Sequence, residues 1–363
     1  MPRTRTGRIV AALVLVAAIA AAAGCSSLGY YGQAAAGHLS MLTEARPIDT
    51  VLADPLTPAQ LKARLERARQ MRAFASSDLG LPDNRSYTEY ADLKRPSVVW
   101  NVFATPELSL TLKTWCYPMI GCAGYRGYFD RARADELAAE LRAQGYDVNV
   151  GGVPAYSTLG WMNWAGGDPL LNTFIHWPDP ELARLIFHEL AHQVVYVKDD
   201  TVFNESFATA VERAGLARWL ATHGDDKARA GWVAYERRRA DFLALLLEHR
   251  KLLDTVYTSA EPDAVKRERK REIMARLKFE YQRIKRERWD GFAGYDRFFA
   301  QELNGAHLAA VAAYNDLVPA FEALLAGVGG DPPKFLDEVR RLADLSRPQR
   351  DAALRSAAAT ASR

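Results

Sequence analysis

The spacing of apolar residues divides the chain at about residue 200. Before that point the hydrophobic period changes several times; beyond it apolar positions recur almost everywhere at three and four residues. In the first part, "TPAQLKARLERARQMRAFASS" predicts an amphipathic helix with Thr57 as N-cap and Pro58 at the first helical position. "SVVWNVFAT" and "LSLTLKTW" are rich in β-formers and flank a Pro106-Glu107 turn, which predicts an antiparallel pair. "FDRARADELAAELRAQG" follows as a helix closed by Gly145, and "YDVNVGGV" as a strand running into Gly151-Gly152.

In the second part, Tyr235, Phe242, Leu246, His249, Leu253 and Val256 alternate at three and four, and Ile273, Leu277, Tyr281 and Ile284 do the same. These predict the two arms of a long antiparallel helical hairpin over about 225–290. The basic run Lys266 to Glu272 is interleaved with acids and reads as its solvated face. The tail "RDAALRSAAATASR" is low in complexity, and residues 349–363 are expected to be disordered. The order of elements predicts an α+β fold, mostly helical, with a small mixed sheet against the helix that carries "HELAH". No internal repeat is visible. A chain of 363 residues with 49% hydrophobic composition can bury a substantial core, and residues 25–348 are read as one domain that includes the hairpin.

The first 24 residues stand outside that core. Arg3, Arg5 and Arg8 precede the apolar run Ile9 to Ala23, which at 15 residues is short of the roughly 20 that a membrane span needs. The run ends in "AAGC", and this resembles a bacterial lipoprotein signal, with Cys25 as the lipidated new N-terminus. The resemblance implies a protein anchored by lipid in the cell envelope and facing the periplasm. Ser26 after the cysteine favours outer-membrane sorting. The formal charge of +3 is 47 basic minus 44 acidic residues. Three of the basic residues lie in the leader, so the remaining chain is balanced, and no nucleic-acid partner follows from its charge. The other two cysteines, Cys116 and Cys122, are read as one disulfide pinning a tight loop in an exported protein.

The candidate chemistry lies in "DPELARLIFHELAHQVVYV". Asp179 is predicted as N-cap, with Pro180 first in the helix and Glu181 in its first turn. His188 and His192, four apart, are offset by about 40° and about 6 Å along the axis, so both imidazoles can reach one tetrahedral Zn²⁺. Glu189 lies about 100° round from His188, beside a metal rather than on it, where a base can take a proton from an attacking water. A third ligand is expected from "FNESFATAVERAGLARWL". Glu205 and Glu212 share a face of that helix about 10.5 Å apart, so only one can ligate, and geometry alone does not choose. The other carboxylate can orient a histidine through its second nitrogen; Glu212, Asp199 and Asp200 are candidates.

"HELAH" followed by "NESFA" resembles the gluzincin metallopeptidases, whose third zinc ligand is a Glu on the next helix. On that resemblance the ligand is Glu205 and Glu212 stands behind the ligands, with one Zn²⁺ per chain. Twelve residues separate His192 from Glu205, a shorter connection than in thermolysin-like enzymes. Together with "WCYPMIGCAGYRGYF", "GGVPAYSTLGW" and "NGAHLAAVAAYNDLVPAF", the motifs are similar to a family of bacterial lipoproteins assigned as aminopeptidases. The resemblance implies a peptide substrate. The chain has no Gly-x-Met-x-Asn segment of the kind that recognises the substrate amine in large zinc aminopeptidases.

Asn304, His307 and Tyr314 fall on one helical face, and His307 or Tyr314 is the candidate donor to the oxyanion of a tetrahedral intermediate. Gly151 to Tyr156 is a candidate edge along which a peptide could lie. His38, His176, His223 and His249 lack ligand spacing. Two other readings stay open: an envelope endopeptidase with the same site, and a non-catalytic lipoprotein scaffold that binds a partner, of unknown identity, through its helical hairpin.

Overall fold

The computed structural model describes residue 30 and residues 32–117, 121–155, 158, 166–311 and 317–361. Residues 1–24, Cys25 and Tyr314 lie outside the described residues. In chain order the helices are α1 (32–44), α2 (Ile48–Ala53), α3 (Ala59–Ser77), α4 (Arg131–Ala143), α5 (Asp179–His192), α6 (Thr201–His223), α7 (Asp226–Thr258), α8 (Asp263–Glu287), α9 (Asp296–Phe299), α10 (Gly305–Val311), α11 (Val318–Gly327), α12 (Pro332–Ala343) and α13 (Arg347–Ala361). The fold is α+β and mostly helical, as the apolar spacing predicts.

Among the described residues the strands form three small sheets. β1 (Arg46–Pro47), β2 (Glu89–Ala91) and β8 (Leu170–Leu171) make a mixed sheet in that order, antiparallel then parallel. Its Tyr90, Ala91, Leu170 and Leu171 share the main core with α3, α5, α6 and α11 to α13. A second, antiparallel sheet centres on β3 (Val99–Pro106), flanked by β6 (Arg126–Tyr128) and β7 (Tyr146–Val153), and packs on α4. The third is a hairpin of β4 (Trp115–Tyr117) and β5 (Gly121–Ala123).

The pairing partner of β3 differs from expectation. It runs along β7, from Val99 opposite Val153 to Pro106 opposite Tyr146, and not along "LSLTLKTW". In that segment Ser109 N–H turns back to the Pro106 carbonyl (3.0 Å), and Leu108 and Leu110 pack against the hairpin core. Lys113 N–H still bonds the Ala104 carbonyl of β3 at 2.8 Å and Trp115 pairs with Ala123 in the third sheet, but among the described residues no ladder forms between this segment and β3. Two helix starts also shift by one residue: Pro58 and Pro178 occupy the N-cap positions of α3 and α5, neither with a side-chain capping bond. Asp179 does not cap, because Arg64 and Arg67 hold its carboxylate.

α7 and α8 form the expected hairpin, closed by Leu246, Leu253, Leu277 and Tyr281. The basic run on α8 is only partly a solvated face. Lys270 pairs with Asp147 at 2.6 Å in a site where both side chains are largely buried, and Arg267 holds Glu107 at 2.9 Å. These contacts tie the hairpin to the sheet edge. The tail expected to be disordered is the helix α13 instead. Leu354 is fully buried, and Arg350 pairs with Asp200 at 2.5 Å, with both side chains out of solvent. A buried apolar anchor and a buried ion pair outweigh the low complexity of the alanine-rich stretch.

Candidate metal centre

Leu182, Ala183, Ile186, Phe187, Leu190 and Ala191 bury one side of α5 against α3 and α6. The remaining face carries residues four apart: Arg184, His188, His192 and, just past the helix end, Tyr196. α6 returns antiparallel to α5. The reversal passes through Asp199 (φ 61°), and Asp200 caps α6 by accepting from Phe203 N–H at 3.3 Å. Asn204 secures the turn, accepting from Val197 N–H and donating to the Val197 carbonyl, both at 2.8 Å. Gly215 lets the two helices close, since a Cβ there would stand 2.9 Å from the Phe187 ring.

That approach brings His188, His192 and Glu205 together, with one ligand atom from each lying within 4.8 Å of the others. The two Nε2 atoms are 3.2 Å apart; His188 Nε2 lies 3.4 Å from Glu205 Oε2, and His192 Nε2 lies 3.8 Å from Glu205 Oε1. Donors around a tetrahedral Zn²⁺ with bonds of 2.0–2.2 Å stand roughly 3.3–3.6 Å apart. The spacing and the imidazole–imidazole–carboxylate chemistry therefore fit a divalent metal.

Glu212 takes a different place. Its Oε2 is 3.0 Å from His188 Nδ1, and its Oε1 accepts from Arg184 at 3.1 Å. An ionised carboxylate can only accept, so His188 Nδ1 keeps its proton, and Nε2 is the nitrogen that would offer a lone pair to a metal once its own proton has left. Asp199 and Asp200 face away from the histidines: Asp199 accepts from Cys122 N–H at 3.1 Å, and Asp200 caps α6 and holds Arg350. His192 Nδ1 is buried with no hydrogen-bond partner among the described residues.

Burial alone would push the His188 imidazole down, but the Glu205 and Glu212 carboxylates hold its pKa up at about 10. Burial and the charge on His188 push His192 down to about 4. Burial opposes ionisation of Glu205 and Glu212 too, yet hydrogen bonding to His188 keeps both below the usual carboxylate range. Two carboxylates facing one protonated imidazole leave a negative pocket. Glu189 is half-buried outside the donor set, and its charge reaches both His188 and the buried Tyr87 hydroxyl.

Tyr196 is a site residue that sequence reasoning missed. Its ring lies 6.4 Å from that of His192, it is 39% exposed, and burial, then Glu205 and Asp199, raise its hydroxyl pKa. The signal was the same spacing of four that marks the histidines, continued one turn further. Arg184 is found by that spacing in the other direction.

His307 lies elsewhere. α10 packs on α7, β3 and β7, and the ring sits beside Phe298 with Nδ1 at 3.0 Å from Asn304 Oδ1. Burial, then Arg142 and Lys278, push its pKa to about 4. Its hydrogen bonds and ring contact are with Asn304 and Phe298. A helical face shared with Asn304 placed it in a separate core instead. Gly151 and Gly152 lie in β7, while Tyr156 is outside the described residues. His249 is buried in the hairpin, bonded to the Leu245 carbonyl at 2.8 Å, and His223 stacks on Trp219.

Cys116 and Cys122 oppose each other in the β4–β5 ladder with their sulfurs at bonding distance. A family model described as "Putative aminopeptidase" matches residues 29–354 of the chain. No curated protein and no solved structure was found to match.

Proposed function

Since the chain belongs to this aminopeptidase family, we propose that it is a zinc-dependent peptidase, with His188, His192 and Glu205 as the metal ligands. The observation that carries the reading is the convergence of three suitable donor atoms within 4.8 Å, backed by Glu212 on the outer nitrogen of His188. A zinc ion held there would polarise a peptide carbonyl and acidify a water at neutral pH.

The side chains divide the remaining work. Glu189, next to His188 but outside the donor set, takes the proton from the attacking water and passes it to the departing amine. Glu212 fixes the His188 ring and its tautomer, and Arg184 fixes Glu212. Tyr196, beside His192 and open to solvent, would donate to the oxygen of the polarised carbonyl. In this reading Tyr196 takes the donor role, and His307 serves the hairpin core.

Peptide is the substrate class, and release of N-terminal residues is the proposed mode. The lipoprotein-like leader supports a periplasm-facing enzyme held by lipid at Cys25, in the outer membrane where the cell has one. The test is metal analysis of the purified protein together with digestion of matched peptides bearing free and acetylated N-termini. One zinc per chain and cleavage of the free set alone are expected. Equal cleavage of the acetylated set would reassign the protein as an endopeptidase, and an inert, metal-free protein would overturn the proposal.

A further inference from the structure

Cys25 and Tyr30 are five residues apart, which bounds their separation at about 18 Å even for a fully extended chain. Tyr30 is tied into the body of the protein. The Arg126 guanidinium lies over its ring at 4.2 Å, the Tyr128 ring meets it edge-on at 5.6 Å, and its hydroxyl is 3.4 Å from that of Tyr117. Whatever surface surrounds Tyr30 therefore stands within that short reach of a lipid carried on Cys25. That surface is the β4–β5 hairpin and its neighbours.

The chemistry of this face suits a bilayer. Trp115, Tyr117, Tyr125 and Tyr30 are half-buried, each presenting part of an amphipathic ring, and Lys113 and Arg126 lie among them. Aromatic rings of this type favour the headgroup level, and each basic side chain is attracted to anionic lipid. No described helix is long and apolar enough to cross a membrane, so contact would be superficial.

The same hairpin contacts the turn that joins the two helices carrying the metal-site residues. Gly121, opposite Tyr117 in the ladder, has φ +80°, and a Cβ there would overlap the Asp199 carboxylate. Cys122 N–H donates to that carboxylate at 3.1 Å. Asp199 lies in the connection between His192 and Glu205. Both contacts thus join the hairpin to the turn between the two ligand-bearing helices.

We propose that the face built by Tyr30, Lys113 to Tyr117 and Gly121 to Arg126 lies on the membrane surface and presents the metal pocket to polypeptide held at that surface. This rests on the peptidase reading and on acylation of Cys25. The occupant of the face is the lipid leaflet, and the substrate class is a peptide tethered to, or emerging from, the bilayer.

The test uses the full lipidated protein in vesicles of phosphatidylethanolamine and phosphatidylglycerol that include a lipid with a photoreactive headgroup. Adducts mapped by mass spectrometry should concentrate in 113–117 and 121–126, and Lys113→Glu, alone or with Arg126→Glu, should reduce them several-fold. Adducts concentrated at the α7–α8 tip (259–262), or spread evenly over the surface, would overturn the proposal, as would an unmodified Cys25. A second measurement compares one peptide free in solution and tethered to the same vesicles by a short linker. The tethered form should be cleaved at least about tenfold faster through its higher effective concentration. A long Gly-Ser spacer inserted between Ser27 and Leu28 should erase that advantage and leave hydrolysis of the free peptide unchanged. A tethered peptide cleaved no faster, or an advantage that survives the spacer, counts against the proposal. Failure to cleave either peptide would sink the peptidase reading and the substrate claim with it, while the adduct map would still decide the membrane face.

Discussion

Glu212 Oε2 stands 3.0 Å behind His188 Nδ1, while His188 Nε2 faces Glu205 Oε2 at 3.4 Å. One imidazole thus separates two glutamates seven residues apart on α6, and each acts on a different nitrogen. The arrangement assigns them unequal work. Glu205 is open enough to meet a metal (side chain 25% exposed), whereas Glu212 is sealed at 6% and shared with Arg184.

Glu205→Ala should therefore lose zinc outright, since two imidazoles remain. Glu212→Gln should weaken zinc binding by about 10–100-fold, the usual cost of losing the partner that orients a histidine ligand. Competition with a chelator of known affinity measures both. Equal losses, or a greater loss at Glu212, would reverse the two roles.

Metal uptake should release protons. With its pKa raised to about 10, His188 carries a proton at neutral pH in the metal-free pocket, while His192, lowered to about 4, is neutral. A metal needs both lone pairs, so binding at pH 7 should expel about one proton, and affinity should rise about tenfold per pH unit until His188 titrates. Calorimetry in two buffers of different ionisation enthalpy reads the number. A release of zero protons would show that the pocket is already neutral at His188.

The C-terminal helix should support the site from a distance. Arg350 and Asp200 are 3% and 5% exposed, and Asp200 also caps the helix that carries Glu205. Removing one partner of a buried pair costs about 3–5 kcal/mol through the charge left behind. Arg350→Ala should therefore lower the melting temperature markedly, and truncation after Ser346 should do at least as much. A truncated protein with unchanged melting and zinc affinity would show that α13 is dispensable.

Cys116 and Cys122 close a loop so short that their bond should add only about 2 kcal/mol by the chain-entropy relation. The double Cys→Ala variant should stay folded, with its unfolding free energy lowered by that amount and its denaturant midpoint lowered in proportion. Free thiols in protein isolated from an oxidising compartment would contradict the pairing.

The parts of the fold read most easily from sequence were those with local signals. Helical spacing marked α5, the α7–α8 hairpin and the α4 helix with Gly145 at its end (φ +83°). The four-residue step from His188 to His192 was likewise a local fact, and the structure turned it into a shared pocket. What stayed illegible depended on distant partners. β3 chose β7 over its neighbour because the whole Val99–Pro106 strand finds a matching edge there, and Gly152 admits Ser97 at a distance no Cβ would tolerate. The alanine-rich tail carries little periodic signal of its own, and its order comes from Leu354 and from Asp200 across the molecule. His307 shares a helical face with Asn304, but nothing local shows that this face turns into a second core under Phe298.

The central claim is that Glu189 acts as a base beside a metal that His188, His192 and Glu205 hold. The direct measurement is zinc content and peptide hydrolysis on the same preparation of Glu189→Gln. The account predicts one zinc per chain, unchanged melting, and turnover reduced by at least about 10²-fold, the lower end for loss of a general base. Full activity with zinc retained would remove Glu189 from the chemistry, and loss of zinc would make it a ligand instead.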